Sequence, residues 1–277
     1  MATINAQDVK RLREATGAPM LDCKKALEEA GGDYDRATQI LREKGAAAGA
    51  KKAGRATKEG IAKVVVSEDG HTAAAIVVEC ETDFVSRNED FKSLVDQLVR
   101  GFLAAGKAGE DVEIGGTTVK QHLEDAVGRI RENIQLRAAE FFNAGDAKIA
   151  AYNHHDGKWA SLVVYTGEGG AAAAHAATQV VAYKPSYLKR DDVPQSIVDA
   201  EMEIETKRAI EEGKPQEVAV NVARGRVNKE FFQAQVLLEQ LIYLDNKTKV
   251  SDYLQQNGGA ELTAFSLFAV GLTGSEE

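Results

Sequence analysis

The sequence predicts an α+β protein: a three-helix bundle at the N-terminus, then two related subdomains of antiparallel sheet plus helices, with an antiparallel helical hairpin projecting from the second. Three observations predict it. One strand–turn–strand grammar occurs twice, as IAKVVVSEDGHTAAAIVVECET (61–82) and AKIAAYNHHDGKWASLVVYTGE (147–168). In each copy Asp-Gly separates two apolar runs, which is a strong hairpin signal. A helical pattern follows each copy: Phe91, Leu94, Val95, Leu98, Val99 and Phe102 after the first, the alanine-rich AAAAHAATQVVA (171–182) after the second. Two hairpin-plus-helix units imply two related subdomains, with helices covering the sheet faces. The third observation is a charged helical stretch, 195–232, broken at Gly213-Lys214-Pro215. Glycine ends one helix there and proline starts the next.

The remaining elements follow in chain order. Val9, Leu12 and Ala15 mark a first short helix. A second begins at Pro19, with Met20, Cys23, Leu27 and Ala30 as its inner face. Gly31-Gly32 stops it, and Asp33 caps a third helix with Tyr34, Ala37 and Leu41 inside. Gly45 is expected to end that helix. The stretch AAAGAKKAGRATKEG (46–60) has no core pattern and reads as a basic, solvated linker. ELTAFSLFAVG (261–271) reads as a last strand, paired into the second sheet. The expected divisions are a bundle over 1–45, a linker over 46–59, a first core subdomain over 60–140 and a second over 141–277 that carries the hairpin 195–232.

Composition excludes several classes. The chain has 277 residues, 44% of them apolar, enough for a sizeable core. It has no apolar run long enough to span a bilayer, and MATINAQDVKRLREATG lacks the apolar region of a signal peptide. Two cysteines, Cys23 and Cys80, are no disulfide framework, which suits a reducing cytoplasm. A net charge of −9 disfavours strong nucleic-acid binding and leaves protein partners open.

Catalytic chemistry finds little footing. Cys80 stands among Glu79, Glu81 and Asp83, whereas a nucleophilic thiol needs positive surroundings. His154-His155-Asp156 chelates poorly, because neighbouring strand residues face opposite ways. TGEGGAAAAH (166–175) fits no phosphate- or dinucleotide-binding pattern and reads as a turn and helix cap. No catalytic residue, metal or cofactor is assigned. The informative features lie on the surface. Leu21 points away from the inner face of its helix, among Lys24, Lys25 and Glu28. Phe84 sits in VVECETDFVSRNEDF (77–91), where a strand gives way to a helix. Either Phe84 packs beside Phe91 in its own core, or it is made to enter a partner.

LREATGAPMLDCKKALEEAGGDYDRATQILREKG followed by TDFVSRNEDF resembles the bacterial elongation factor Ts family. GRIRENIQLRA, YKPSYL, EEGKP, GRVNKEFF and TKVSDYL extend the resemblance over about residues 5–271. It implies a non-catalytic guanine-nucleotide exchange factor for elongation factor Tu. Such a factor binds Tu in its GDP-bound and nucleotide-free states, promotes GDP release and is displaced as GTP binds. It also implies that the bundle is ubiquitin-associated-like and that Thr82, Asp83, Phe84 and Val85 are pushed toward the magnesium of Tu. Further contacts carry over to Arg13, Met20 and Leu21 on the bundle, and to Ile130 and His154, or its neighbour His155, on the core. Many members continue into a further helical module, whereas this chain stops at VGLTGSEE. Since it keeps the helical hairpin, a one-to-one complex with Tu is expected. An adaptor that holds partners without altering nucleotide affinity is the competing class.

Overall fold

Three helices open the computed structural model, which describes residues 4–52 and 54–271. They are α1 (Ala6–Thr16), α2 (Met20–Glu29) and α3 (Tyr34–Lys52). Asn5 caps α1 by accepting the Asp8 N–H at 2.8 Å, and Gly17 ends it at φ 68°. Asp33 accepts the Arg36 N–H at 2.9 Å and starts α3. Val9, Leu12, Cys23, Ala26, Leu27, Ala37 and Ile40 close the bundle core.

Two expectations fail here. Met20 does not join the inner face: it is 45% exposed. It stands at the first helical position, where buried Ala18 and Cys23 already close the core. Nor does Gly45 end α3, which continues to Lys52. Alanines propagate a helix well. The glycine serves a crossing instead: a Cβ at residue 45 would meet the Glu124 carbonyl at 3.3 Å and the Gly128 Cα at 3.6 Å. The first half of the expected linker is therefore helix. Its remainder is tied down, with the Asn133 side-chain amide donating to the Arg55 carbonyl at 2.8 Å and the Thr57 hydroxyl to Glu79 at 2.7 Å.

β1 (Glu59–Val66) and β2 (Thr72–Cys80) form the first hairpin, in register from Glu59↔Cys80 to Val66↔Ala73. At its turn Gly70 takes φ 78° and Asp69 accepts the His71 N–H. Next come the one-turn α4 (Asp83–Ser86), α5 (Glu89–Ala105), the small hairpin β3 (Glu113–Ile114) and β4 (Thr117–Thr118), and α6 (Val119–Ile130). β5 (Ile134–Asn143) then pairs antiparallel with β2, giving the order β1-β2-β5. β5 carries the first sheet past residue 140 to Asn143, so the chain leaves that sheet only in the turn after it.

β6 (Lys148–Asn153) and β7 (Trp159–Thr166) make the second hairpin, and α7 (Gly170–Tyr183) follows. α8 (Gln195–Glu211) and α9 (Gln216–Arg226) form the helical hairpin, with Gly213 at φ 86° between them. Only alanines, Ala209, Ala219 and Ala223, are buried in those two helices, which explains their thin apolar stripe. A π-helical turn (Val227–Phe232), α10 (Gln233–Gln235) and α11 (Val250–Gln256) lead to β8 (Glu261–Ala269). β8 pairs with β7, so the second sheet runs β6-β7-β8.

The result is four layers. One face of the first sheet (Ala74, Ile76, Val78, Cys80) packs on α5 and α6. Its other face (Ala73, Ala75, Val77) packs on Ile149, Ala160, Leu162 and Phe268 of the second sheet. The far side of the second sheet, with Val163, Tyr165 and Leu262, is covered by α7 and α11. The β6–β7 turn folds over the outer edge of β1. The Asn153 side chain bonds both the N–H and the carbonyl of Val64, at 2.8 and 2.9 Å, and the Gly157 carbonyl accepts the Ala62 N–H at 2.8 Å. This blocks an edge that would otherwise pair with another strand.

Close packing of α3 on α6 leaves little room for a side chain at residue 45, where even a Cβ would meet the α6 backbone at 3.3 Å. Gly45→Val is expected to undock the bundle while both parts keep their helices. Small-angle scattering should register a larger radius of gyration with far-ultraviolet circular dichroism nearly unchanged. An unaltered radius would mean that the crossing does not hold the bundle in place.

Candidate partner-binding site

The turn that carries Phe84 is built from polar contacts. Thr82 takes an extended conformation (φ −127°, ψ 156°) and starts α4, a helix of four residues in which none is buried. Its hydroxyl does not cap that helix. It donates to Glu132 Oε1 at 2.6 Å, while the N–H groups of Thr82 and Glu81 donate to Glu132 Oε2 at 3.0 and 3.1 Å. Glu81 answers by accepting the Asn133 N–H at 2.7 Å. Asn88 then caps α5 through the Asp90 N–H at 2.8 Å. Held at both ends, the turn leaves Phe84 84% exposed while Phe91 is fully buried. The alternative of Phe84 stacked in its own core is thereby closed.

Its neighbours divide. Val85 turns inward, packed against the first core. Asp83 is half-exposed and lies 3.2 Å from Arg87 one turn on, an exposed pair that holds weakly. On the bundle, Arg13 is exposed and Leu21 is 60% exposed, beside the exposed Met20. Ile130, in the last turn of α6, is partly buried against the first core. His154 is half-buried, its Nδ1 2.9 Å from the Tyr152 hydroxyl, and His155 is exposed with its ring centroid 4.2 Å away.

Most of these residues gather around residues 130–133, the connection from α6 to β5. Arg131 pairs with Asp22, the residue after Leu21, and its carbonyl accepts from Lys52 of α3. Glu132 holds the Phe84 turn, as above. The histidine turn lies at the same end of the first sheet: Lys158 reaches Glu59 at 2.8 Å, and Glu59 faces Cys80 in the register. The sequence reading missed Asp22, Arg131, Glu132 and Asn133 as a group. GRIRENIQLRA was noticed as a motif, yet nothing in its local pattern says that its glutamate meets residues 81 and 82.

The surroundings of Cys80 disfavour thiol chemistry at this end. Burial, reinforced by Glu132 and Glu59, pushes the Cys80 thiol up to about 12. It therefore stays protonated at neutral pH, donating to the Thr82 carbonyl at 3.3 Å. Among the described residues, no cluster of three His, Cys, Asp or Glu is arranged to hold a metal ion. No described helix is long and apolar enough to cross a membrane.

A family model described as Elongation factor TS matches residues 81–272. Relatives called elongation factor Ts align along nearly the whole chain. That of Aquifex aeolicus is 38% identical, over 97% of this chain and 98% of its own length. That of Deinococcus deserti is 41% identical over 96% and 99%, and that of Mycobacterium tuberculosis 42% over 98% and 99%. The chain belongs to the elongation factor Ts family. Its place is in the elongation phase of protein synthesis.

Two outcomes test the site geometry. Phe84→Ala should change unfolding free energy by less than about 0.5 kcal/mol, as an exposed residue does, whereas Phe91→Ala should cost about 3–5 kcal/mol in denaturant titrations. Equal effects would place Phe84 in the core. Both cysteines are buried, and the Cys23 thiol is likewise raised, chiefly by burial. A colorimetric disulfide reagent at pH 8 should therefore label neither until the protein is unfolded, and rapid labelling of Cys80 in the native protein would contradict its environment.

Proposed function

We propose that this chain is a non-catalytic guanine-nucleotide exchange factor for elongation factor Tu, acting in the cytoplasm as a one-to-one complex. The observation that carries the reading is a phenylalanine, 84% exposed, on a turn anchored at both ends. A large exposed aromatic on a rigid support has no use for the fold, and aromatic side chains that fill a partner's pocket dominate binding energies. Leu21 and Met20 supply a second apolar contact on the bundle, and Arg13, exposed on α1, adds a charge there. Ile130 and the histidine turn belong to the same end of the first sheet as the Phe84 turn, and His155 is the more exposed of the pair.

The physics is linkage. If the factor binds empty Tu more tightly than GDP-bound Tu, GDP weakens the factor by the same ratio. Each tenfold in that ratio is about 1.4 kcal/mol. Burial of one phenylalanine offers about 1.5–3 kcal/mol, so Phe84 can supply one to two decades if its pocket opens only without nucleotide. Wedging apart the elements that hold magnesium weakens the ion's bridge to phosphate. Asp83, once released from Arg87, competes for backbone donors that otherwise serve the phosphate. Val85 holds the turn from beneath, and Thr82 sets its start. No bond is made or broken, and the cellular excess of GTP sets the direction.

Stopped-flow release of fluorescent GDP from elongation factor Tu tests the reading. The wild type should accelerate release, and Phe84→Ala should lose about ten- to a hundredfold of the saturating rate. Binding without acceleration by the wild type would leave an adaptor. Leu21→Asp should weaken association about tenfold or more with an unchanged circular dichroism spectrum. Unfolding in that variant would contradict the exposure of Leu21.

A further inference from the structure

The Phe84 turn touches the first core within α4 only through the partly buried Val85, and none of the four residues of that helix is fully buried. Its orientation depends on a residue 50 positions away in sequence. Glu132 accepts three hydrogen bonds from two successive residues: the Glu81 N–H, the Thr82 N–H and the Thr82 hydroxyl. Bonds of this kind to a carboxylate are shorter and stronger than neutral ones. They also remove the Thr82 hydroxyl from the capping role it would otherwise take, which sets the angle at which the chain enters α4. Glu132 is itself fixed. Arg131 before it takes the left-handed conformation (φ 65°) and pairs with Asp22, and Asn133 after it is bonded to Glu81 and to the Arg55 carbonyl.

We propose that Glu132 is a positioning residue for nucleotide exchange: its carboxylate holds the Glu81–Thr82 backbone so that Phe84 is presented in one orientation. The proposal rests on the exchange reading above. Glu132 itself need not touch the partner. Without it, Phe84 remains exposed and can still find its pocket, but it samples other orientations, and the wedge must be ordered at the moment of use. Loss should therefore fall on the maximal rate of exchange more than on binding, which also draws on the bundle.

The test compares wild type, Glu132→Ala, Glu132→Gln and Thr82→Val. Hydrogen–deuterium exchange of the isolated proteins reads the turn directly, and fluorescent-GDP release from elongation factor Tu, titrated to saturation, reads its use. In Glu132→Ala the amides of Glu81 and Thr82 should exchange about tenfold faster or more. The saturating release rate should fall about tenfold, with the half-saturating concentration changed by less than about threefold. Glu132→Gln should restore both readouts, because the amide oxygen can accept the two N–H groups and the Thr82 hydroxyl can turn to accept from the amide nitrogen. If Glu132→Ala does not fold, Thr82→Val, which removes only the 2.6 Å bond, should show the same pattern to about threefold. A folded Glu132→Ala within twofold of the wild-type rate overturns the proposal. So does a loss in Glu132→Gln equal to that in Glu132→Ala, or a Thr82→Val variant with no change where it alone is folded. No acceleration by the wild type overturns the exchange reading itself, and this proposal with it, which distinguishes the two failures.

Discussion

From Ala73 to Cys80 every residue of β2 is removed from water, alternate side chains going to opposite neighbours. One set meets α5 and α6, the other meets the second sheet. A strand buried on both sides reads as a continuous apolar run, which is why this segment contains three alanines, isoleucine and two valines in succession. The one charge within it, Glu79, is fully paired. It accepts from the Thr57 hydroxyl, the Arg137 guanidinium and the N–H of Gly271 beyond β8. Those donors come from the segment before β1, from β5 and from the end of the second sheet. A buried carboxylate is tolerated only with such partners, so Glu79 fastens both sheets and the entering chain at one point.

Everything at the candidate site hangs from the end of that strand. Cys80 is its last residue, and the chain turns at once into Glu81 and Thr82. The rigid strand fixes the start of the turn, Glu132 fixes its direction, and Asn88 fixes its end. An exposed aromatic then has little freedom left to lose on association, and that loss is a main cost of binding. The same connector reaches the bundle through Arg131 and Asp22, while Gly45 and Gly128 let α3 lie against α6. Leu21 and Phe84 thus stand on one connected frame.

The helical hairpin follows a different logic. α8 and α9 bury alanines between them and support each other with partly buried charges, Arg226 reaching Glu205 and Glu212 at 3.4 and 2.7 Å. Its base is held by a separate small core of Val193, Val227, Phe232 and Val236. Such an element adds surface to the protein without contributing to the four layers, so its sequence is free to stay charged.

Much of the fold was legible in the sequence, because burial leaves a period. Alternating and 3.6-residue apolar spacing revealed both hairpins, α5, α7 and the last strand, and the Asp-Gly pairs marked the turns. Leu21 was recognisable as exposed from its place on a helix whose other face was plainly apolar. What periodicity could not decide was contact between distant segments. Gly45 looked like a helix end and is a helix crossing, because only α6 shows why a side chain is crowded there. Residue 140 looked like a boundary, yet β5 crosses it to complete a sheet begun at Glu59. Phe84 was undecided between a core and a partner until its turn was seen fixed from outside. Glu132 carried no local signal, since a hydrogen bond across fifty residues has no period. Sequence alone determined which faces seek to leave water; the tertiary structure decided which polar groups meet to hold the exposed ones in place.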